Sequence, residues 1–156
     1  SCPARRGGCS LTGAITREEA PGTMLYLFGG ADRSQTHYND LHQFDLAEGK
    51  WEQLFPVGPV AASLAADCLR PPSPRSGHVC VSLVWPKGEA GDHSLLIFGG
   101  SNLATGESFN DLHRFSIAQR QWCAVEVTGP PPVERNSHSA TYLRGSGTRT
   151  GVEEGT

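Results

Sequence analysis

Four of the six histidines, His42, His78, His113 and His138, stand where the surrounding sequence repeats. A set of imidazoles is what a metal centre would use, but metal sites announce themselves through close spacing such as His-x₃-His. These four are scattered along the chain, so no metal ligand is assigned. The double glycines raise a second possibility. Gly29-Gly30 follows the apolar run "LYLF", and Gly99-Gly100 follows "LLIF". A phosphate-cradling loop would need a helix N-terminus next and, in the Walker form, a lysine. Ala31-Asp32 and Ser101-Asn102 offer neither. No Ser-His-Asp or Cys-His order sits on a strand-to-helix elbow either. Hence no catalytic residue and no cofactor is expected.

What these residues share is a repeat, and the repeat shows which elements hold them. The two double glycines are 70 residues apart (Phe28 against Phe98). Beyond them, "NDLHQFDLAEGKW" from Asn39 to Trp51 matches "NDLHRFSIAQRQW" from Asn110 to Trp122 at seven of thirteen positions. Upstream, Arg6, Arg75 and Arg135 each open a stretch of small and apolar residues, the third without a following copy. The chain thus reads as two full units and the opening of a third. Within each unit four short strands are predicted. The first covers 9–15 or 78–85, the second 24–28 or 95–98, the third 40–46 or 111–117, and the fourth begins at Trp51 or Trp122. "AEGK" and "AQRQ" are of hairpin length. Gly suits the ends of the second strands, because it accepts positive φ and allows close approach of another chain segment. Asn39-Asp40 and Asn110-Asp111 read as turn residues that satisfy local backbone groups.

Composition agrees. With 19 Gly, 11 Pro and 19% charged residues among 156, the chain suits many short strands rather than long helices. A net charge of −3 implies neither a nucleic-acid partner nor an anionic membrane surface. There is no apolar run near 18 residues that would span a membrane as a helix. Five cysteines, odd in number and without a C-x-x-C pair, read as reduced thiols in a cytoplasmic or otherwise intracellular setting. "SCPARRGGCS" lacks the features of a signal peptide and reads as a cut end.

The ordered combination of Arg-(Ser/Asn)-(Gly/Ser)-His, FGG, NDLH and a downstream Trp resembles the kelch repeat, over roughly Arg6 to Leu143. Cys9 departs from that pattern where the other copies have His78 and His138. The resemblance implies an all-β fold, a fragment of a kelch-type β-propeller. Its organisation would be a first four-stranded antiparallel blade over 6–55, an inserted loop over 56–74 and a second blade over 75–127. A linker and the first strand of a third blade follow over 128–143. Residues 144–156 read as a polar, Gly-rich loop of a truncated unit. Val60–Cys68 could form a helical turn or two. The structural repeat motif would be Gly29, Gly30, Trp51, Gly99, Gly100 and Trp122, with the tryptophans covering the seam between blades. Arg75, His78, Arg135 and His138 are candidates for partner contact. Bracing of neighbouring loops is the favoured role of the two arginines.

The implied function is a protein–protein interaction module inside a larger intracellular protein. Its partners would be a protein and the remaining kelch blades of the same chain. The alternatives are the substrate-recognition part of a ubiquitin-ligase adaptor, or a non-catalytic part of a kelch-type oxidase. An enzyme is not expected, since the tyrosines, cysteine and histidines of a copper radical site are not assembled in this order. Two units with bare outer faces are not expected to be stable on their own.

Overall fold

The computed structural model describes residues 2–15, 23–56, 70–84, 93–123, 125 and 127–143. The helical turns expected over Val60–Cys68, most of the inserted loop and the tail 144–156 lie outside these residues.

Two four-stranded antiparallel sheets carry the fold. The first runs in sequence order through β1 (Ser10–Ile15), β2 (Thr23–Phe28), β3 (Leu41–Asp45) and β4 (Lys50–Phe55). In the second, β5 (Val79–Val84), β6 (His93–Phe98), β9 (Leu112–Ser116) and β10 (Gln121–Cys123) are neighbours in that order. A two-residue pair, β7 (Ser101–Asn102) with β8 (Glu107–Ser108), decorates the loop between β6 and β9. The register is equivalent in both sheets. Phe28 lies opposite Leu41 and Phe98 opposite Leu112, while Phe44 lies opposite Trp51 and Phe115 opposite Trp122. These are two blades, and the repeat in sequence is a repeat in space.

Residues opposite one another across antiparallel strands project from the same face. Met24, Tyr26, Phe28 and Leu41 therefore share the face of the first blade that meets the second. Leu95, Ile97, Phe115 and Trp122 share the answering face. The core is made of these two sets: Ala14, Tyr26, Phe28, Leu41 and Leu54 from one blade, and Leu95, Ile97, Phe115 and Trp122 from the other. Phe28 meets the Trp122 indole edge to face at 5.4 Å between centroids. Innermost strands β1 and β5 run side by side, joined by Thr12 Oγ1 donating to the Cys80 carbonyl (3.0 Å) and Ser82 Oγ to the Gly13 carbonyl (2.7 Å). At the outer rim, Arg120 of the second blade donates to the Glu52 carboxylate of the first (2.8 Å).

Two expectations need correction. Trp51 and Trp122 occupy equivalent places, but only Trp122 is fully buried, at 3% exposure. Trp51 lies on the face turned away from the second blade and is half-buried. The first strand of a third blade, expected within 128–143, carries no ladder, because a strand needs a hydrogen-bonded neighbour and none of the described residues pairs with it. The start of that third unit is nonetheless docked: Ser137 N donates to the Gly77 carbonyl (2.7 Å), just as Gly77 N donates to that of Gly8 (2.9 Å). One backbone staircase thus links the three units along the inner edge.

Candidate functional site

The polar residues singled out by spacing meet at one end of the blades, where the first strand begins and the second ends. Each unit builds the same constellation there. Arg75 Nε donates to the Ser73 carbonyl (3.0 Å) and Nη1 to that of Gly99 (3.0 Å), while Nη2 donates to Asp111 Oδ2 (2.9 Å). Nη1 also reaches Asp111 Oδ1, which makes the pair bidentate. The guanidinium stacks 4.0 Å above the Phe109 ring. Arg6 repeats every contact, with the carbonyls of Ala4 and Gly29, the Asp40 carboxylate and the Tyr38 ring.

Histidines complete the set. His42 Nε2 lies 2.8 Å from Asp40 Oδ2, and His113 Nε2 lies 2.7 Å from Asp111 Oδ2. Each ring then meets the tryptophan of its own blade edge-on, His42 with Trp51 and His113 with Trp122. Arg, Asp, His and Trp thus form one relay per blade, tying the first strand to the third and fourth. Burial pushes the Asp111 carboxyl up, but the bonds from Arg75 and His113 outweigh it and hold it well below the usual range. Asp40 is likewise held low, its burial outweighed by Arg6 and His42.

A second set joins neighbouring units. Gly30 N donates to the Arg75 carbonyl and Gly100 N to that of Arg135, both at 2.8 Å. Arg75 N returns a bond to the Tyr38 carbonyl and Arg135 N to that of Phe109. At Gly29 φ is +61°, and a Cβ there would stand 2.8 Å from the Arg75 carbonyl oxygen and 2.9 Å from His78 Cε1. Gly99 meets Arg135 and His138 in the same way. The double glycine is therefore the socket into which the next unit's Arg-to-His segment plugs. Gly29→Ala is expected to cost about 2–3 kcal/mol, from positive φ plus the clash. Gly49→Ala, at φ +65° with nothing within 4 Å, should lose only about 1 kcal/mol. Urea unfolding of both variants checks this, and equal losses would remove the socket.

Arg75 and His78, offered above as candidates for partner contact, lie inside the fold. Arg75 is fully buried and His78 is 7% exposed. His78 Nε2 lies 3.0 Å from Ser10 Oγ, its ring meets Phe28 edge-on, and burial lowers its pKa to about 4. Their polar contacts are all made within the fold. Arg135 is exposed and keeps the Nε bond to its own loop, at the Val133 carbonyl (3.1 Å). His138 packs on Phe98. The ion-pair role of Asp40 and Asp111 was missed, because a local turn duty sufficed for them. The signal was there: Arg and Asp repeat together in both units. Asn39 and Asn110 bond backbone that is not local, donating to the carbonyls of Pro72 and Pro132, 33 and 22 residues away. Among the described residues no group of three His, Cys, Asp or Glu is placed to hold a metal ion.

The loops around this end are the part that varies. Between β2 and β3, Asp32 Oδ1 accepts from Ser34 N (2.8 Å) and Thr36 N (3.0 Å), and Tyr38 Oη donates to Oδ2 (2.9 Å). His37 Nε2 accepts from Leu103 N of the next blade (3.3 Å), so the two loops touch. Residues 103–108 are exposed.

Comparison with known proteins adds identity to this geometry. Residues 1–144 match the KLHDC2/KLHL20/DRC7 Kelch-repeats domain. The chain is similar to acyl-CoA-binding domain-containing protein 5 of Arabidopsis thaliana, 32% identical over 141 residues, covering 90% of this chain and 18% of that protein. Leucine-zipper-like transcriptional regulator 1 of Homo sapiens is 34% identical over 117 residues, 75% of this chain and 12% of that protein. Kelch domain-containing protein 3 of Bos taurus is 30% identical over 128 residues, 80% of this chain and 30% of that protein. The chain spans less than a third of the length of each of these relatives.

Proposed function

Because the chain belongs to the kelch-repeat domain family, we propose that its two blades are a protein-binding module, with the contact surface made by the β2–β3 and β6–β9 loops. Kelch domains generally mediate protein binding, and the domain recurs within varied larger proteins. The observation that carries the reading is a division of labour at one end of the blades. Polar groups that repeat are consumed internally by the Arg–Asp–His relays and the glycine sockets. The loop residues outside those relays, Arg33 to Gln35 and Leu103 to Glu107, are exposed and differ between units. Loops carried on a rigid scaffold are where binding residues concentrate. A non-catalytic role within a larger intracellular protein fits the same division, since the titratable groups that repeat at this end serve as braces.

Selection of random dodecapeptides displayed on phage against the chain tests the proposal. Enriched peptides should lose affinity on Leu103→Asp, in the proposed surface, and keep it on Leu46→Asp, in the hairpin at the opposite end. Sensitivity only to Leu46→Asp, or no enrichment at all, would overturn it.

A further inference from the structure

The two units differ most where the fold demands least. In the second blade, Pro74 precedes the relay arginine and Leu103 follows β7. The first blade has Arg5 and Arg33 at those places, aligned by the equivalent bridges Gly7–Ala31 and Ser76–Ser101. Leu103 is 71% exposed although the preceding blade is packed beside it. The Arg33 position therefore faces the end of the ring and is not a seam position bared by a missing neighbour.

Arg5, Arg6, Gly7, Ala31, Asp32, Arg33 and Ser34 line a cavity of about 700 Å³. Its charges are not equivalent. Arg6 is neutralised by Asp40 in the relay, and Asp32 has its oxygens occupied by Ser34, Thr36 and Tyr38. Arg5 and Arg33 are exposed and pair with no acidic group among the described residues. On a chain of net charge −3, the cavity is a local reversal of sign. Arginine forks suit carboxylates, and unpaired charges at a rim select partners by complementarity.

We propose that this cavity, through Arg5 and Arg33, docks an acidic segment of a protein partner by its Asp or Glu side chains. This rests on the protein-binding reading above and names the partner chemistry. Nucleic acid is a poorer match: base stacking needs an open aromatic face, and Tyr38, the nearest, is covered by Arg6.

The probes are the fluorescent peptides (Glu-Gly)₆ and (Gln-Gly)₆, read by anisotropy against the full chain. The glutamate peptide is expected to bind at least about tenfold more tightly and to weaken as salt screens the contact. Arg5→Glu and Arg33→Glu should each remove most of that preference, with thermal unfolding unchanged because neither side chain is buried. Leu46→Glu, on an exposed residue of the hairpin at the opposite end, should leave it in place. Equal binding of the two peptides, indifference to both arginine reversals, or tighter binding of the phosphoserine counterpart would overturn the assignment. The phage selection separates the two claims. Peptides enriched there while (Glu-Gly)₆ fails would remove the acidic docking site and leave the module standing.

Discussion

Trp122→Ala is expected to remove about 3–5 kcal/mol of stability, the usual loss for a buried tryptophan. The indole lies between Phe28 of the other blade and Phe115 of its own, with ring centroids 5.4 and 5.2 Å away. Deleting it opens a void in the seam and strips the cover from Phe28, which is fully buried in the parent chain. Trp51→Ala removes the same group from the equivalent site of the first blade. There the indole packs on Phe44 and His42 but on no second blade, so about 1–2 kcal/mol is expected from its smaller buried area. Urea midpoints for the pair decide the matter. Equal losses would mean that the tryptophans act within their own blades, and that the seam is not the principal core.

Arg75→Ala is expected to cost about 3–5 kcal/mol, toward the lower end because the Asp111 side chain is 41% exposed and can be hydrated. The substitution deprives the Gly99 carbonyl of its donor and leaves Asp111 with His113 alone. Lysine is no substitute, since one ammonium cannot hold a bidentate carboxylate, two carbonyls and an aromatic face together. The acid limb gives an independent readout. Asp111 and Asp40 are held below the ordinary value of 3.8, so their stabilisation is complete above that pH and is lost as pH falls through their folded-state values. His78 acts in another window. Its folded pKa of about 4 lies under the ordinary 6.5, so the unfolded chain takes the proton first, and stability falls between those values as acid is added. Arg75→Ala should therefore flatten the limb below pH 4. Urea midpoints across pH 3–7 measure this, and an unchanged limb would show that the relay contributes no linkage.

Strand placement was legible because short apolar runs repeat between unmistakable punctuation. The second strands end at Phe28 and Phe98, just before Gly29 and Gly99, and the fourth open within a residue of Trp51 and Trp122. The repeat also aligned the two units residue by residue. It could not show burial, which depends on a neighbour: Trp51 and Trp122 are the same letter in the same context, yet among the described residues only Trp122 has a second blade against it. Nor could spacing show that Arg6 and Asp40, 34 residues apart, form one ion pair. The third unit's first strand, expected within 128–143, has no ladder among the described residues for the same reason, since a stretch of small and apolar residues proposes a strand and only a partner makes one. Arg5 and Arg33 passed unnoticed because repetition was the filter, and they are the positions that do not repeat.

Placing the core between the blades has a consequence for how the chain reaches its fold. The seam contacts join residues about one repeat apart: Ser10 with His78 and Glu52 with Arg120 are each 68 residues distant, and Gly13 with Ser82 is 69. Each blade can close its hairpins locally, but the contacts that bury Phe28 and Trp122 come only after the ends of a long loop have met. Folding of this chain is therefore governed by non-local encounter, the regime of slow, topology-limited kinetics. Closure entropy grows only with the logarithm of loop length, by about 0.6 kcal/mol per doubling. The 24 residues from Trp51 to Arg75, against 13 from Trp122 to Arg135, are thus a small thermodynamic burden. Connections between blades are free to lengthen and diversify, while the docking segment from Arg75 to His78 and its glycine socket are not.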